Sequence, residues 1–139
     1  MRSKWLLITS SVYMALIGMG YLIFPASMIQ SMPAVDINAA LQTELRVVAA
    51  TFFGLAVLNW CARNAMPSAA LDAIFYGNLV GFGLAALLDV VEAVGVAGTF
   101  GWLFATIHLF FTLAFAVAVT TNNVEHRADH GGRMHHQSG

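Results

Sequence analysis

Four long apolar runs constrain the fold of this chain more than any other feature. They cover residues 5–24, 45–62, 69–88 and 100–121. A hydrocarbon core about 30 Å thick needs about 20 mostly apolar residues per helix, so each run has the length of one membrane crossing. All three prolines lie between runs, where helices end or begin. The sequence therefore predicts an all-α integral membrane four-helix bundle in residues 1–121.

Composition supports this interpretation and argues against other classes. The 139 residues are 59% hydrophobic and 9% charged, against about 45–50% and about 25% in soluble domains. The net charge is -1 and the basic residues are not clustered, so we expect no nucleic acid partner. The single cysteine, Cys61, cannot form an internal disulfide, which excludes a paired-cysteine thiol oxidoreductase. We expect no cofactor and no metal.

The positions of lysine and arginine predict the orientation. Those on one side of the predicted membrane are Arg2, Lys4, Arg63, Arg127 and Arg133, and only Arg46 lies on the other side. Positive residues concentrate in cytoplasmic segments. We therefore expect both termini to be cytoplasmic, and we call the opposite end of the bundle the outer end. Residues 122–139 are expected to form a polar, mobile cytoplasmic tail, in which Gly131 and Gly132 break any helix.

The first outer segment, residues 25–43, is apolar enough to lie in the membrane interface. Its apolar residues are Met28, Ile29, Met32, Val35, Ile37 and Leu41. Asp36 is the expected N-cap of the second long helix. A short similarity between residues 17–22 and 80–85 raises a further hypothesis, in which the bundle consists of two parallel helical hairpins.

A stripe of small residues lies along one face of the third run. Its members are Ala73, Gly77, Gly81 and Ala85, spaced four residues apart, and Asp89 continues the series. Small residues let helix backbones approach closely in lipid. We expect this α4 small face to pack against a neighbouring helix, either at Ala50 and Gly54 of the second run or at Ser11 and Ala15 of the first. The alternative is the same face of a second copy.

Charged residues of both signs are expected to meet at the outer end of the bundle. Glu44 and Arg46 open the second run, and Asp89 and Glu92 close the third. An isolated arginine at the membrane edge is costly, so we expect Arg46 to pair with Asp89 or Glu92. This cluster is either a structural clamp or a functional site. The functional form is an anion or headgroup site, or a proton-linked carboxylate at Glu44 or Asp89.

His108 is the only histidine inside an apolar run, about 12 Å below the outer end of the fourth helix. We expect a hydrogen-bonded core histidine whose partner is one of four reachable polar residues: Asn78, Tyr76, Tyr13 or Thr51. If these groups converge, they line a small polar pocket. Haem held by two imidazoles would need a second buried histidine, which the runs do not contain.

Several of these residues carry a resemblance to a known family. They are Phe24-Pro25, Glu44-Leu45-Arg46, Gly54-Leu55, Trp102 and His108. In this pattern the chain resembles the small four-helix bacterial membrane proteins of the DoxX-like group. The resemblance implies a bacterial inner-membrane location and a four-helix bundle. It implies no activity, although some members are accessory to redox or stress systems.

Two functions follow as hypotheses. The first is a non-enzymatic accessory or scaffold subunit in the lipid bilayer, which packs through small-residue faces against a second copy or another membrane protein. The second is a binder or carrier of a small lipophilic molecule, a quinone or a lipid, in a polar pocket. The residues assigned to that pocket are Arg46, Glu44, Asp89, Glu92, His108 and Asn78. An enzyme would need His108 and an acid within hydrogen-bond reach of each other.

Overall fold

The computed structural model describes residues 2–29, 36–95 and 98–136. Its helices are α1 (Arg2–Ile23), α2 (Pro25–Ile29), α3 (Ala39–Ala62), α4 (Ala69–Gly95) and α5 (Gly98–His136). The segments Ser3–Ile23, Ala39–Ala62, Ala69–Gly95 and Gly101–Asn122 are long and apolar enough to cross a membrane. The described part of the chain contains no strand. The predicted fold class, an all-α membrane four-helix bundle, is confirmed.

The helix boundaries differ from the predicted ones at several ends. Asn38, rather than Asp36, caps α3, and its side-chain oxygen accepts a hydrogen bond of 2.9 Å from the Leu41 amide. The helix α4 continues beyond the apolar run to Gly95. The helix α5 passes through Gly131 and Gly132 and ends at His136, so the predicted helix break at these glycines is wrong. Glycine weakens a helix by about 1 kcal/mol without forbidding it.

The short helix α2 folds back against α1 at the outer end. Its Pro25 and Ile29 are buried. A Cβ at Gly20 of α1 would lie 2.6 Å from the Met28 sulfur, so the Met28 side chain of α2 packs directly on this glycine. The expected interfacial residues Met32 and Val35 lie outside the described residues.

The long helices form two antiparallel pairs. The helix α1 packs along α3 and α4 packs along α5, while α1 also contacts α5. Glycine allows a close approach in each pair: a Cβ at Gly18 would lie 3.2 Å from the Phe52 Cβ, and one at Gly101 would lie 2.7 Å from the Ala93 Cα. The two pairs agree with the hypothesis of two helical hairpins.

Aromatic rings fill the space between the pairs. Phe75 and Phe115 are completely buried. Phe82 stacks on Phe111 with ring centroids 4.6 Å apart, and the centroid of Phe115 lies 5.8 Å from that of Phe82. On the helix faces that point away from the bundle interior, many large apolar residues are exposed, among them Leu16, Val80, Leu87 and Leu113. Such a surface suits surrounding lipid rather than water.

Within the described part of the chain, the α4 small face packs against no other helix. Ala73, Gly77 and Gly81 are exposed and Ala85 is half-buried. A Cβ at Gly77, Gly81 or Gly54 would meet nothing within 4 Å. The expected packing of this face against α1 or α3 is therefore wrong for a single chain. The physical reason is that α4 turns its large side chains, including Phe75 and Phe82, toward α5 and the core. Packing against a second copy stays a prediction.

Candidate functional site

Three helices contribute to a hydrogen-bonded triad in the outer half of the bundle. Asp89 Oδ2 of α4 lies 2.5 Å from His108 Nδ1 of α5. The Tyr13 hydroxyl of α1 lies 2.7 Å from Nε2 of the same imidazole. We call Asp89, His108 and Tyr13 the outer triad. It connects the α4–α5 pair to α1 of the other pair.

The antiparallel packing of α4 and α5 brings the two ionisable residues of the triad to one depth. Asp89 precedes the end of α4 at Gly95 by about 9 Å of helix rise. Close to this level, the backbone of Gly101 lies against Ala93. Because this contact holds the two helices close together, the short aspartate side chain can reach the imidazole.

The partners of the imidazole determine where its protons lie. When Asp89 is a carboxylate it can only accept, and Nδ1 of His108 then carries the proton and donates the hydrogen bond to Asp89. In that arrangement, a neutral imidazole accepts a hydrogen bond at Nε2 from the Tyr13 hydroxyl. An imidazolium would instead donate a hydrogen bond from Nε2 to the Tyr13 oxygen. The imidazolium–carboxylate form has no net charge, which reduces the cost of burial in a membrane.

Aromatic rings surround the imidazole but do not close the site. The ring centroids of Phe82 and Phe104 lie 5.7 and 6.4 Å from that of His108. The side chains of His108 and Asp89 remain 13% and 19% exposed. Among the described residues, none donates a hydrogen bond to Asp89 Oδ1. The triad therefore has an accessible acceptor oxygen beside a flat apolar ring surface.

A second polar group joins α3 to α4 deeper in the bundle. Asn59 and Asn78 exchange two side-chain hydrogen bonds of 2.8 Å each. Asn59 also donates to the Ser10 hydroxyl at 3.1 Å, and Asn78 donates to the Ile74 carbonyl. Asn59 and Ser10 are completely buried. These groups, which we call the amide cluster, use their amide donors within the bundle and provide a structural connection between its two halves.

A third polar contact lies at the inner end of the bundle. Asn122 of α5 donates a hydrogen bond of 2.6 Å to Asp72 of α4. The aromatic core of Phe75, Phe115 and Phe82 lies between this contact and the outer triad. The two aspartates of α4 therefore occupy separate environments at opposite ends of the helix.

The predicted ion pair of Arg46 is wrong. Arg46 forms no ion pair with Asp89 or Glu92, and within the described part of the chain the only ion pair joins Asp89 to His108. Arg46, Glu44 and Glu92 are all exposed. The reason is geometric, because Asp89 lies on the side of α4 that faces α5, whereas Arg46 lies on an exposed face of α3.

The prediction for His108 is correct in part. Tyr13 is its partner, as one of the four alternatives proposed. Asn78 instead pairs with Asn59, and Tyr76 and Thr51 are exposed. The six residues assigned to the ligand pocket therefore do not converge. Asp89 and His108 lie together in the outer triad, Asn78 lies in the amide cluster, and the other three are exposed.

Sequence reasoning missed the partners of two polar residues near the helix ends. Asn59 and Asp72 lie near the inner ends of their apolar runs, and both are hydrogen-bonded within the bundle. The missed signal was the presence of further polar residues, Ser10 and Asn122, inside or at the end of other apolar helices. Polar groups in membrane helices find one another across interfaces.

Neither protein-family models, nor curated proteins, nor solved structures match this chain. Within the described residues, no group of three or more histidine, cysteine, aspartate or glutamate side chains is arranged to hold a metal ion.

Proposed function

We propose that this membrane protein binds a small lipophilic molecule with a hydroxyl-bearing head group, a quinol or a lipid alcohol, at the outer triad. The observation that carries the proposal is the Asp89–His108 pair, hydrogen-bonded at membrane depth yet partly exposed. Ionisable residues inside a membrane are expensive to retain and commonly mark functional sites. The amide cluster joins α3 to α4 without any charge, so polar contact between helices alone does not require an aspartate.

The unused hydrogen-bonding capacity of the triad defines the ligand class. Asp89 Oδ1 accepts no hydrogen bond from the described residues, so it favours a ligand that donates one. The Tyr13 hydroxyl can donate to the same ligand when Nε2 of His108 is protonated. Phe104, which is partly exposed beside the imidazole, offers an apolar ring surface to a flat head group. These features together favour a hydroxylated ring over an anion.

The same geometry meets the condition that an acid–base enzyme must satisfy, because His108 and an acid lie within hydrogen-bond reach. The geometry of the outer triad does not indicate which bond would be made or broken, so we propose binding and not catalysis. As a setting we propose the bacterial inner membrane with both termini in the cytoplasm. The distribution of basic residues and the resemblance to the DoxX-like group support this setting.

An accessory or scaffold subunit is the second candidate function, and one observation favours it. The α4 small face is largely exposed in the single chain, with space beside Gly77 and Gly81. Such faces allow close packing of a partner helix in lipid. The two candidates are compatible, since the outer triad faces the bundle interior and this face lies outside it.

Binding at the triad can be tested with a short-chain quinol titrated into the protein in lipid nanodiscs, followed by tryptophan fluorescence. We expect saturable binding that Asp89→Asn weakens at least tenfold, because the amide has one acceptor oxygen fewer. Asp72→Asn is the matched control, since Asp72 is also hydrogen-bonded but lies at the other end of α4. Equal affinity of wild type and Asp89→Asn, with both proteins folded, would exclude the proposed site.

A further inference from the structure

A second site, independent of the outer triad, lies between α1 and α5 in the inner half of the bundle. The two helices meet where Tyr13 contacts His108 and Phe111. Toward the inner ends they leave a groove of about 460 Å³. Its walls include Trp5, Leu6 and Thr9 of α1 and Phe110, Ala114 and Val117 of α5. We call it the inner groove.

The length of the inner groove matches one leaflet of a membrane. Its lining residues on α5 extend from Phe110 to Thr121, which corresponds to about 16 Å of helix rise. Half of a hydrocarbon core about 30 Å thick is about 15 Å. The α5 wall is therefore about as long as one leaflet is thick, and the α1 wall, from Ser3 to Thr9, covers the inner part of that length.

The walls of the inner groove are apolar despite their hydroxyl-bearing residues. Thr9 donates its hydroxyl to the Trp5 carbonyl at 2.9 Å, and Thr121 donates to the Val117 carbonyl at 2.9 Å. These hydroxyls are used by their own helices. A hydrocarbon chain fits such walls, whereas a polar ligand would lose its hydrogen bonds to water there.

A lysine lies on α1 beside the mouth of the inner groove. Lys4 is exposed and adjoins Trp5, which is 65% exposed. Lysine attracts anionic head groups, and tryptophan is favoured at the membrane interface. The charge at the mouth thus complements a lipid phosphate.

We propose that the inner groove binds one acyl chain of an anionic phospholipid from the leaflet at the N-terminal end of α1, with the phosphate at Lys4. The small side chain of Ala114 leaves the room that the acyl chain occupies. The site would hold a phospholipid in a fixed position between the two helix pairs, where α1 meets α5.

The experiment uses Trp5 as the reporter. A variant with Trp60→Phe and Trp102→Phe is placed in vesicles that contain phospholipids with brominated acyl chains, either phosphatidylglycerol or phosphatidylcholine. Bromine quenches a tryptophan that it contacts. We expect the anionic lipid to quench Trp5 at about fivefold lower mole fraction, the preference that one lysine near the surface provides. Lys4→Gln should abolish that preference.

Filling the groove provides the second arm. Ala114→Phe should reduce quenching of Trp5 by the anionic lipid, whereas Leu113→Phe, at a neighbouring position that is 60% exposed, should not. If Ala114→Phe does not fold, the lipid preference and its loss in Lys4→Gln still test the proposal. Equal quenching by both lipids would mean ordinary surrounding lipid only and would overturn it. Loss of quenching as protein self-associates would place a second copy in the groove and also overturn it.

Discussion

The carboxylate of Asp89 lies 2.5 Å from the imidazole of His108, on the opposing helix of the same antiparallel pair. The sequence pattern predicts that Asp89 pairs with Arg46 at the outer end of the bundle. In the structure, Asp89 instead faces α5 and contacts the imidazole of His108. This contact ties α5 to α4 through two side chains inside the bundle. It also extends to α1 through the Tyr13 hydroxyl.

The first prediction concerns the strength of the Asp89–His108 pair. Asp89→Ala leaves the imidazole without its carboxylate inside the bundle, and we expect it to lower the free energy of unfolding by about 3 kcal/mol. In a double-mutant cycle with His108→Ala, the coupling should be about 1.5–3 kcal/mol, as for a hydrogen bond to a charged group. The measurement is reversible unfolding in detergent micelles. Additive effects of the two substitutions would show that the pair contributes nothing.

The second prediction concerns the amide cluster. Asn78→Leu removes both hydrogen bonds between the Asn59 and Asn78 side chains and leaves the Asn59 amide without that partner. We therefore expect the free energy of unfolding to fall by about 1–2 kcal/mol. The double variant Asn59→Leu with Asn78→Leu should be less destabilised than the sum of the single variants, because no buried amide is then left without its partner. Unfolding of the three variants under one set of detergent conditions tests this. A double variant worse than the sum would contradict a direct pair.

The architecture could be predicted from sequence, whereas the contacts between helices could not. Apolar runs are a matter of length and composition, so each membrane helix was found, although α3 begins six residues before its run and α4 ends seven residues beyond its run. The direction in which a residue faces depends on how helices rotate and pack. Asp89 and Glu92 both end the same run, yet only Asp89 faces α5. A pattern of spacing alone does not distinguish these two carboxylates.

The small residues show the same limit in another form. Four-residue spacing correctly indicates that Gly77 and Gly81 share a helix face, but it does not say what covers that face. In the structure the close helix contacts involve Gly18 and Gly101 instead, which are not part of the stripe. Large side chains at neighbouring positions, such as Phe82, determine which side of α4 turns inward.

The third prediction compares two glycines on different helices. Gly18→Ala places a Cβ about 3.2 Å from Phe52 and should destabilise the α1–α3 pair by roughly 1–3 kcal/mol, the usual cost of overpacking. Gly81→Ala meets nothing within 4 Å and should be neutral or slightly stabilising, since alanine favours a helix. Thermal melting of dilute protein distinguishes the two. A loss of stability in Gly81→Ala that depends on protein concentration would instead indicate packing against a second copy.

The fourth prediction concerns Arg46. Because its side chain is exposed and forms no ion pair with Asp89 or Glu92, Arg46→Gln should change the free energy of unfolding by less than about 0.5 kcal/mol. The matched comparison is Glu92→Gln, a second exposed charge at the same end of the bundle. Destabilisation of Arg46→Gln by 2 kcal/mol or more would reveal a partner for Arg46 elsewhere.

The last prediction uses the single native cysteine to test the proposed topology. Cys61 is exposed near the inner end of α3, in a chain with no other thiol. If the positive-inside rule holds, this end faces the cytoplasm. A membrane-impermeant maleimide applied to intact cells should then leave Cys61 unlabelled, and a permeant maleimide should label it.

Cys61→Ala combined with Val94→Cys moves the thiol to an exposed position at the outer end of α4 and should reverse the result with the impermeant reagent. Labelling of Cys61, but not of the cysteine at position 94, from outside intact cells would invert the topology. The mouth of the inner groove would then face the outer leaflet.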